Sequence, residues 1–400
     1  MSAASGRWRA LALLSAVLVL SMTTWFSASA VVPQLRVEWD LSPSAAAWLT
    51  IAVQLGFVTG AVVSSLFNIS DLVAPRHVIL GGALGAAACN VALVVSNGAG
   101  AAIPLRLATG FFLAGVYPPA LKLMATWFTR DRGVALGILV GALTLGTAGP
   151  HLVNGLGGLD WRVVVYATSA LTVLGGLVAE FGVPDGPFPF PRATFAPSQT
   201  GRVFSNRGVR LASLGYFGHM WELYGMWTWY LVFFSEAIGA RGLRTTPSFA
   251  TFAVIAVGAL GCWAGGVLGD RWGRTKTTAA MMATSAACAV VIGPLSVWRP
   301  AAALTVGLVW GFSVVGDSAQ FSTMVTELAD QAYVGTALTL QLALGFTLTV
   351  ATIWLVPVLE NLVGWRWAFA FLAPGPLAGA LAMLRLKGSP EAAHIAGGRA

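Results

Sequence analysis

The chain has 400 residues, 57% of them hydrophobic and only 10% charged, with a formal net charge of +8 and a mean hydropathy of +0.77. Soluble globular domains carry about 25% charge, so this balance excludes one. The bases are scattered over short loops rather than gathered on one module, which excludes a nucleic-acid partner and leaves membrane topology as the reason for the charge.

Apolar runs of about 20 residues, each enough to cross about 30 Å of hydrocarbon, recur along the whole chain. The 47 glycines and 19 prolines suit close-packed membrane helices. Cys89, Cys262 and Cys288 all lie inside apolar runs and read as small packing residues, with no metal site. Near the N-terminus, Arg7 and Arg9, the apolar stretch 11–20 and Ala28-Ser29-Ala30 imitate a signal peptide. Cleavage there would leave an odd number of spans and invert the loop charges, so this stretch is read as an uncleaved first span.

Hydropathy predicts twelve spans. The first six cover 10–32, 45–67, 77–96, 102–124, 134–156 and 162–182; the second six cover 209–234, 249–269, 277–297, 300–322, 335–357 and 366–386. Between the sets, 183–208 holds Pro184, Pro187, Pro189, Pro191 and Pro197 with Arg192, Arg202 and Arg207, and reads as a polar linker. With the N-terminus inside, the inner segments carry fifteen Lys and Arg residues and the outer segments six, Arg106 and Lys122 remaining within a span. That bias puts both termini in the cytoplasm of a plasma (inner) membrane. The inner loop 327–332 opposes it with Glu327 and Asp330, but acids count little in this rule.

The halves repeat. Asp160-Trp161-Arg162 opens span six and Gly364-Trp365-Arg366 opens span twelve, their arginines 204 positions apart. Gly133-Val134-Ala135-Leu136 and Gly335-Thr336-Ala337-Leu338 open spans five and eleven, 202 apart. A nearly constant offset of half the chain predicts duplicated six-helix bundles, 1–182 and 209–400, joined by the linker 183–208. Repeats of this kind place the solute near the midplane, where the bundles meet.

Between spans eight and nine runs Gly265-Gly266-Val267-Leu268-Gly269-Asp270-Arg271-Trp272-Gly273-Arg274-Thr275-Lys276. A generic positive loop would explain the bases but not Asp270 or the glycines. The stretch resembles the loop signature of the major facilitator superfamily, and the resemblance implies an all-α polytopic membrane protein of twelve transmembrane helices in two pseudo-symmetric bundles. It also implies that Gly269, Asp270, Arg271, Gly273 and Arg274 fasten a cytoplasmic gate. The equivalent loop in the first half, 68–76, keeps only Asp71 and Arg76, a departure from the family, whose first copy is usually better kept.

An ionisable residue inside a span is costly and marks a candidate site. On span four, Arg106 followed by Gly110 and Gly115 resembles the family's fourth-helix motif, which implies proton coupling. At about 100° per residue Tyr117 shares the face of Arg106, whereas Lys122 points about 160° away and is expected to snorkel outward. On span seven, His219, Glu222, Met226 and Tyr230 fall on one helical stripe. A histidine and a carboxylate one turn apart can share a proton. On span ten Asp317 sits well inside the run with Gln320 one turn on, a candidate for solute binding or coupling; by the repeat offset it is the equivalent of Gly115 of span four, an acid where the first half has glycine. Each of these has a structural alternative, a buried tie between helices. Span five, with Gly137, Gly146, Gly149-Pro150 and His151, only partly resembles the antiporter motif, and a glycine-packed kinked helix explains it as well.

No nucleotide-binding loop, paired-cysteine metal site or nucleophile elbow is present. The reading is therefore a transporter rather than an enzyme, without cofactor or metal. It is a monomer moving a small solute, such as a small organic or inorganic anion, with the proton as coupling ion. The rival readings are a drug or metabolite efflux antiporter, a remote copper-importing variant resting on His219, Met220 and Met226, and a non-transporting membrane sensor or assembly factor.

Overall fold

The computed structural model describes residues 3–128, 132–157, 160–188, 200–239, 245–330 and 334–398, and among them all regular structure is helical. Eleven helices are long and apolar enough to cross a bilayer. The twelfth, Arg207–Ile238, has 32 residues and the length to span, but His219, Glu222 and a run of tryptophans and tyrosines dilute its apolarity. The fold is an all-α membrane bundle of twelve spans in two pseudo-symmetric halves.

The chain divides into two compact units, Met1–Arg192 with Tyr230–Ala253, and Ala193–Trp229 with Val254–Ala400. The final two turns of span seven and the opening of span eight therefore group with the first unit. Each unit is described below by itself.

Within both units the same device packs the helices. On span two, a Cβ at Gly56 or Gly60 would fall onto the carbonyl of Leu107 or Phe111 of span four. On span eight, Gly261 and Gly265 stand in the same relation to the carbonyls of Phe312 and Gly316 of span ten. Each residue of the second set lies 205 positions after its counterpart. Small residues one turn apart let two backbones touch, and dispersion over that contact replaces the hydrophobic drive that lipid removes.

Several spans predicted as single helices are interrupted, span eight at Val257 and span twelve at Phe369–Leu372 among them, and three of the breaks bear on the site. Span one runs Ala3–Ser21, loosens through Met22–Thr24 and Ser29–Val31, and resumes only at Val32–Glu38. Its hydroxyls compete for the backbone: Thr23 donates to the Leu20 carbonyl (2.8 Å) and Ser27 to that of Thr24 (3.0 Å). Span four stops at Leu113 and restarts at Tyr117, ahead of Pro118 and Pro119, which cannot donate to a continuing ladder. Span ten stops at Gly316 and restarts at Ser318. The breaks at Gly115 and Asp317 lie 202 positions apart, the offset seen in the sequence.

Candidate functional site

The first unit buries one guanidinium. Arg106 is wholly enclosed and its donors are spent on the gap in span one: Nη1 to the Thr24 carbonyl (2.9 Å) and Ser27 Oγ (3.1 Å), Nη2 to the Trp25 carbonyl. Nε donates to the Leu49 carbonyl of span two (3.2 Å), and Nη1 also reaches Asn90 Oδ1 of span three (3.2 Å). Asn90 in turn donates to Thr168 Oγ1 (3.1 Å) and Ser169 Oγ (2.9 Å) of span six. Non-helical backbone at membrane depth needs its carbonyls satisfied by protein, and Arg106 does that.

The expectation that Tyr117 shares the face of Arg106, and that Lys122 points away from it, assumed a continuous helix. The break at 114–116 ends that register, so neither angle carries across it. The same unit buries His151 and Gln54 completely, and neither ring nitrogen of His151 nor the amide of Gln54 finds a hydrogen-bond partner.

Among its described residues the second unit buries two acids, Glu222 and Asp317, and two bases, His219 and Arg274. His219 Nδ1 lies 2.8 Å from Asp317 Oδ1, with both side chains at most 2% exposed. Nε2 of His219, on the far side of the ring, has no partner. The imidazole is flanked by Tyr216 and Phe321. One turn on, Glu222 is held by two neutral donors, Ser285 Oγ to Oε2 and Trp310 Nε1 to Oε1, each at 2.7 Å. No cation touches it among the described residues. The sequence reading placed His219, Glu222 and Asp317 as candidates but missed Ser285 and Trp310. Trp310 lies seven residues before Asp317 on the same run, a signal that was available. Met226 is fully buried on the same stripe.

Gln320, expected beside Asp317, faces elsewhere. Its Nε2 donates to the Gly265 carbonyl (3.2 Å) and its Oε1 accepts from Arg274 Nη1 (3.0 Å). It belongs with the loop cluster, because the break at Asp317 starts a new helix whose face turns toward span eight. There a Cβ on Gly269 would meet the Gln320 amide. Gly273 has φ +102, a backbone that favours glycine, and turns span eight into span nine. Arg274 grips Glu327 with both arms, Nε to Oε2 at 3.2 Å and Nη2 to Oε1 at 3.0 Å, while Asp270 stands 3.6 Å away and half exposed. Arg271 is exposed. Glu327, the acid that opposed the loop charge bias, is thus the principal partner. Its Oε2 also accepts the Ala396 N–H (3.2 Å), next to the fully buried Ile395. The Asp71 side chain lies outside the described residues.

At the other end of the first unit, a cavity of about 610 Å³ is lined by Gln34, Glu38, Asn154, Asp160 and Arg162 among others. Asn154 is saturated there, donating to the Ala30 carbonyl (2.8 Å) and Ser248 Oγ (3.0 Å) and accepting from Gln34 (3.0 Å). Hydrogen bonds from Arg162, then from the Trp161 indole, hold the Glu38 carboxyl below the usual carboxylate range.

Twelve spans in two repeated halves, with ionisable clusters buried in each, define a polytopic carrier. A model of the Major Facilitator Superfamily matches residues 13–352, and the chain belongs to that family. It is 25% identical over 307 residues, 74% of this chain and 71% of the other, to an MFS-type transporter of Gibberella moniliformis. A shorter match, 31% over 94 residues, covers 21% of this chain and 18% of the MFS-type transporter cnsO of Penicillium expansum. Among solved structures, a mutant of the nucleoside transporter NupG superposes with a TM-score of 0.73 at 13% identity, covering 94% of this chain and 99% of that one. A bacterial homologue of the human lysosomal transporter Spinster superposes at 0.66 and 14% identity, covering 95% of each. These likenesses establish the fold, and the family establishes a secondary transporter rather than an enzyme.

Proposed function

We propose that this chain moves a small solute across the plasma membrane by alternating access, coupled to protons. In this reading the protein is a monomer with both termini in the cytoplasm, and the halves 1–182 and 209–400 rock about the solute, joined by 183–208. The observation that carries the proposal is the charge balance around span seven: two wholly buried acids, Glu222 and Asp317, face one base, His219, while the unit's other buried base, Arg274, is paired with Glu327. An unpaired charge at membrane depth is costly. With His219 committed to Asp317, Glu222 calls for a proton or a cation from outside the chain.

The same balance weighs against a small anion as solute. Among the described residues the two buried arginines are spent, Arg106 on carbonyls and Arg274 on Glu327. In the second unit, contacts to the solute are assigned to buried polar atoms without partners, His219 Nε2 and the Gln341 amide nitrogen. The Arg274–Glu327–Gln320 cluster, with Asp270 and Arg271, is assigned to gating in the second unit, and Asp71 and Arg76 of the equivalent loop are assigned to gating in the first. An efflux antiporter for drugs or metabolites is the second reading, favoured where the solute is a cation that meets the excess acid.

Proteoliposomes carrying a pH-sensitive dye test this. Organic cations, drugs, nitrite and organic anions are offered to the native chain and to Glu222→Gln. Solute-dependent proton movement, lost in the variant while solute binding persists, is the expected result. Flux that survives moves the coupling to Asp317. Binding without flux for every solute would leave a sensor in place of a transporter.

A further inference from the structure

A second cavity, of about 340 Å³, lies at the end of the first unit where spans one and three begin and span six finishes. Its wall is built. Trp127 donates to the Pro184 carbonyl (3.1 Å), and Gly186 and Phe188 donate to Thr126 (3.1 Å each), so the segment after span six is folded back onto the end of span four. Two guanidinium groups line the space, Arg9 and Arg76, and among the described residues neither has an acid partner. The Nε of Arg76 is buried without any hydrogen-bond acceptor. A buried, charged donor left unmatched asks for an acceptor from outside the chain. Glu180 also lines the cavity, but its carboxylate is taken by His77 at 2.8 Å. The rest of the lining is apolar, with Phe181 and Val183 beside the Trp127 ring, the mixture expected where helix ends meet the membrane–water boundary.

We propose that this cavity binds a phosphate-bearing anion. Two guanidinium forks match the oxygens of a phosphate, and the apolar wall accommodates the glycerol and first methylenes of a phospholipid. A basic pocket between membrane helices is a recognised place for an anionic headgroup. A free phosphate ester offers the same chemistry. The site shares Arg76 with the gating assignment but uses none of the residues assigned to solute contact or proton coupling.

The purified chain is titrated with phosphatidylglycerol, phosphatidylcholine and glycerol 3-phosphate, with retained adducts counted by native mass spectrometry and the thermal midpoint recorded. One phosphatidylglycerol is expected to be held in preference to phosphatidylcholine. R9Q/R76Q should weaken it by about tenfold or more, at about fivefold per arginine. R210Q/R385Q removes the same charge at exposed positions outside the cavity lining and should stay within about twofold. Arginine-dependent protection by glycerol 3-phosphate alone supports the site with a soluble occupant; protection by the lipid alone supports it with a headgroup. Equal weakening in the two double variants, or no preference for any phosphate anion over phosphatidylcholine, overturns the proposal. Should R9Q/R76Q fail to fold, R76K retains the charge without the fork and is expected to lose the adduct in the same sense.

Discussion

Arg106 and Glu222 are both buried ionisable residues inside spans, and by sequence alone they carry equal standing as coupling groups. Their surroundings are opposite. Arg106 delivers its donors to carbonyls at the gap in span one and to one carbonyl of span two, so it completes the backbone of two neighbouring spans. Glu222 accepts from a serine and a tryptophan, neutral groups that fix its position and leave its charge unbalanced. Burial marks a residue as costly; what its partners leave unsatisfied tells whether the cost supports the fold or the transport cycle.

That contrast makes its strongest prediction at Arg106. Arg106→Ala strands several buried carbonyls at about 1–3 kcal/mol each, so most of the folded protein should be lost, as read by yield and monodispersity in detergent. Arg106→Lys should rescue poorly, because one ammonium cannot span carbonyls in three directions. A well-folded Arg106→Ala that has lost only proton coupling would break the comparison.

A smaller effect on stability and a larger one on transport are expected in the second unit. Asp317→Asn and His219→Gln should each impair solute-driven proton flux, and the double variant should be little worse than either single one, because they act as one pair. Additive losses would separate the two residues.

In the loop cluster, Glu327→Gln removes a bidentate partner that is only partly exposed and should cost about 1–2 kcal/mol. It should also change transport rate more than solute affinity. Ile395→Asp, which expels the buried anchor beside Ala396, is expected to act in the same direction through the same carboxylate. A transport assay of both variants checks this, and an unaltered rate in Ile395→Asp would uncouple the tail from the gate.

The mildest expectation concerns Glu38 and Arg162. The folded carboxyl stays ionised to lower pH than the unfolded one, so the pair stabilises above the unfolded value and that contribution fades as pH falls through the folded one. Both side chains are more than a third exposed, so screening limits the effect to about a few tenths of a kcal/mol. Thermal midpoints of the native chain and Glu38→Gln should differ slightly at neutral pH and converge in acid.

Much of this was legible in the chain. Length and apolarity of the runs determined twelve spans, because a bilayer admits helices whose backbone is satisfied internally and little else. The repeat was readable from the paired Trp-Arg openings, and the loop 265–276 was readable as a turn with charged flanks, since spacing carries both signals. His219, Glu222 and Asp317 stood out because charge is rare in such runs.

Tertiary structure alone decided what those residues do. A hydropathy window cannot see that span one breaks, since hydroxyls and an arginine from span four supply the compensation from elsewhere in the chain. Neither can it show that Gln320 turns toward Arg274, that Glu327 outranks Asp270 as its partner, or that Ser285 and Trp310 clamp Glu222. Each of these is set by which helices the glycine contacts bring together, over separations of 46 to 88 residues. The pattern along the chain specifies faces and spans; the choice of partner for each buried charge is a property of the packed bundle.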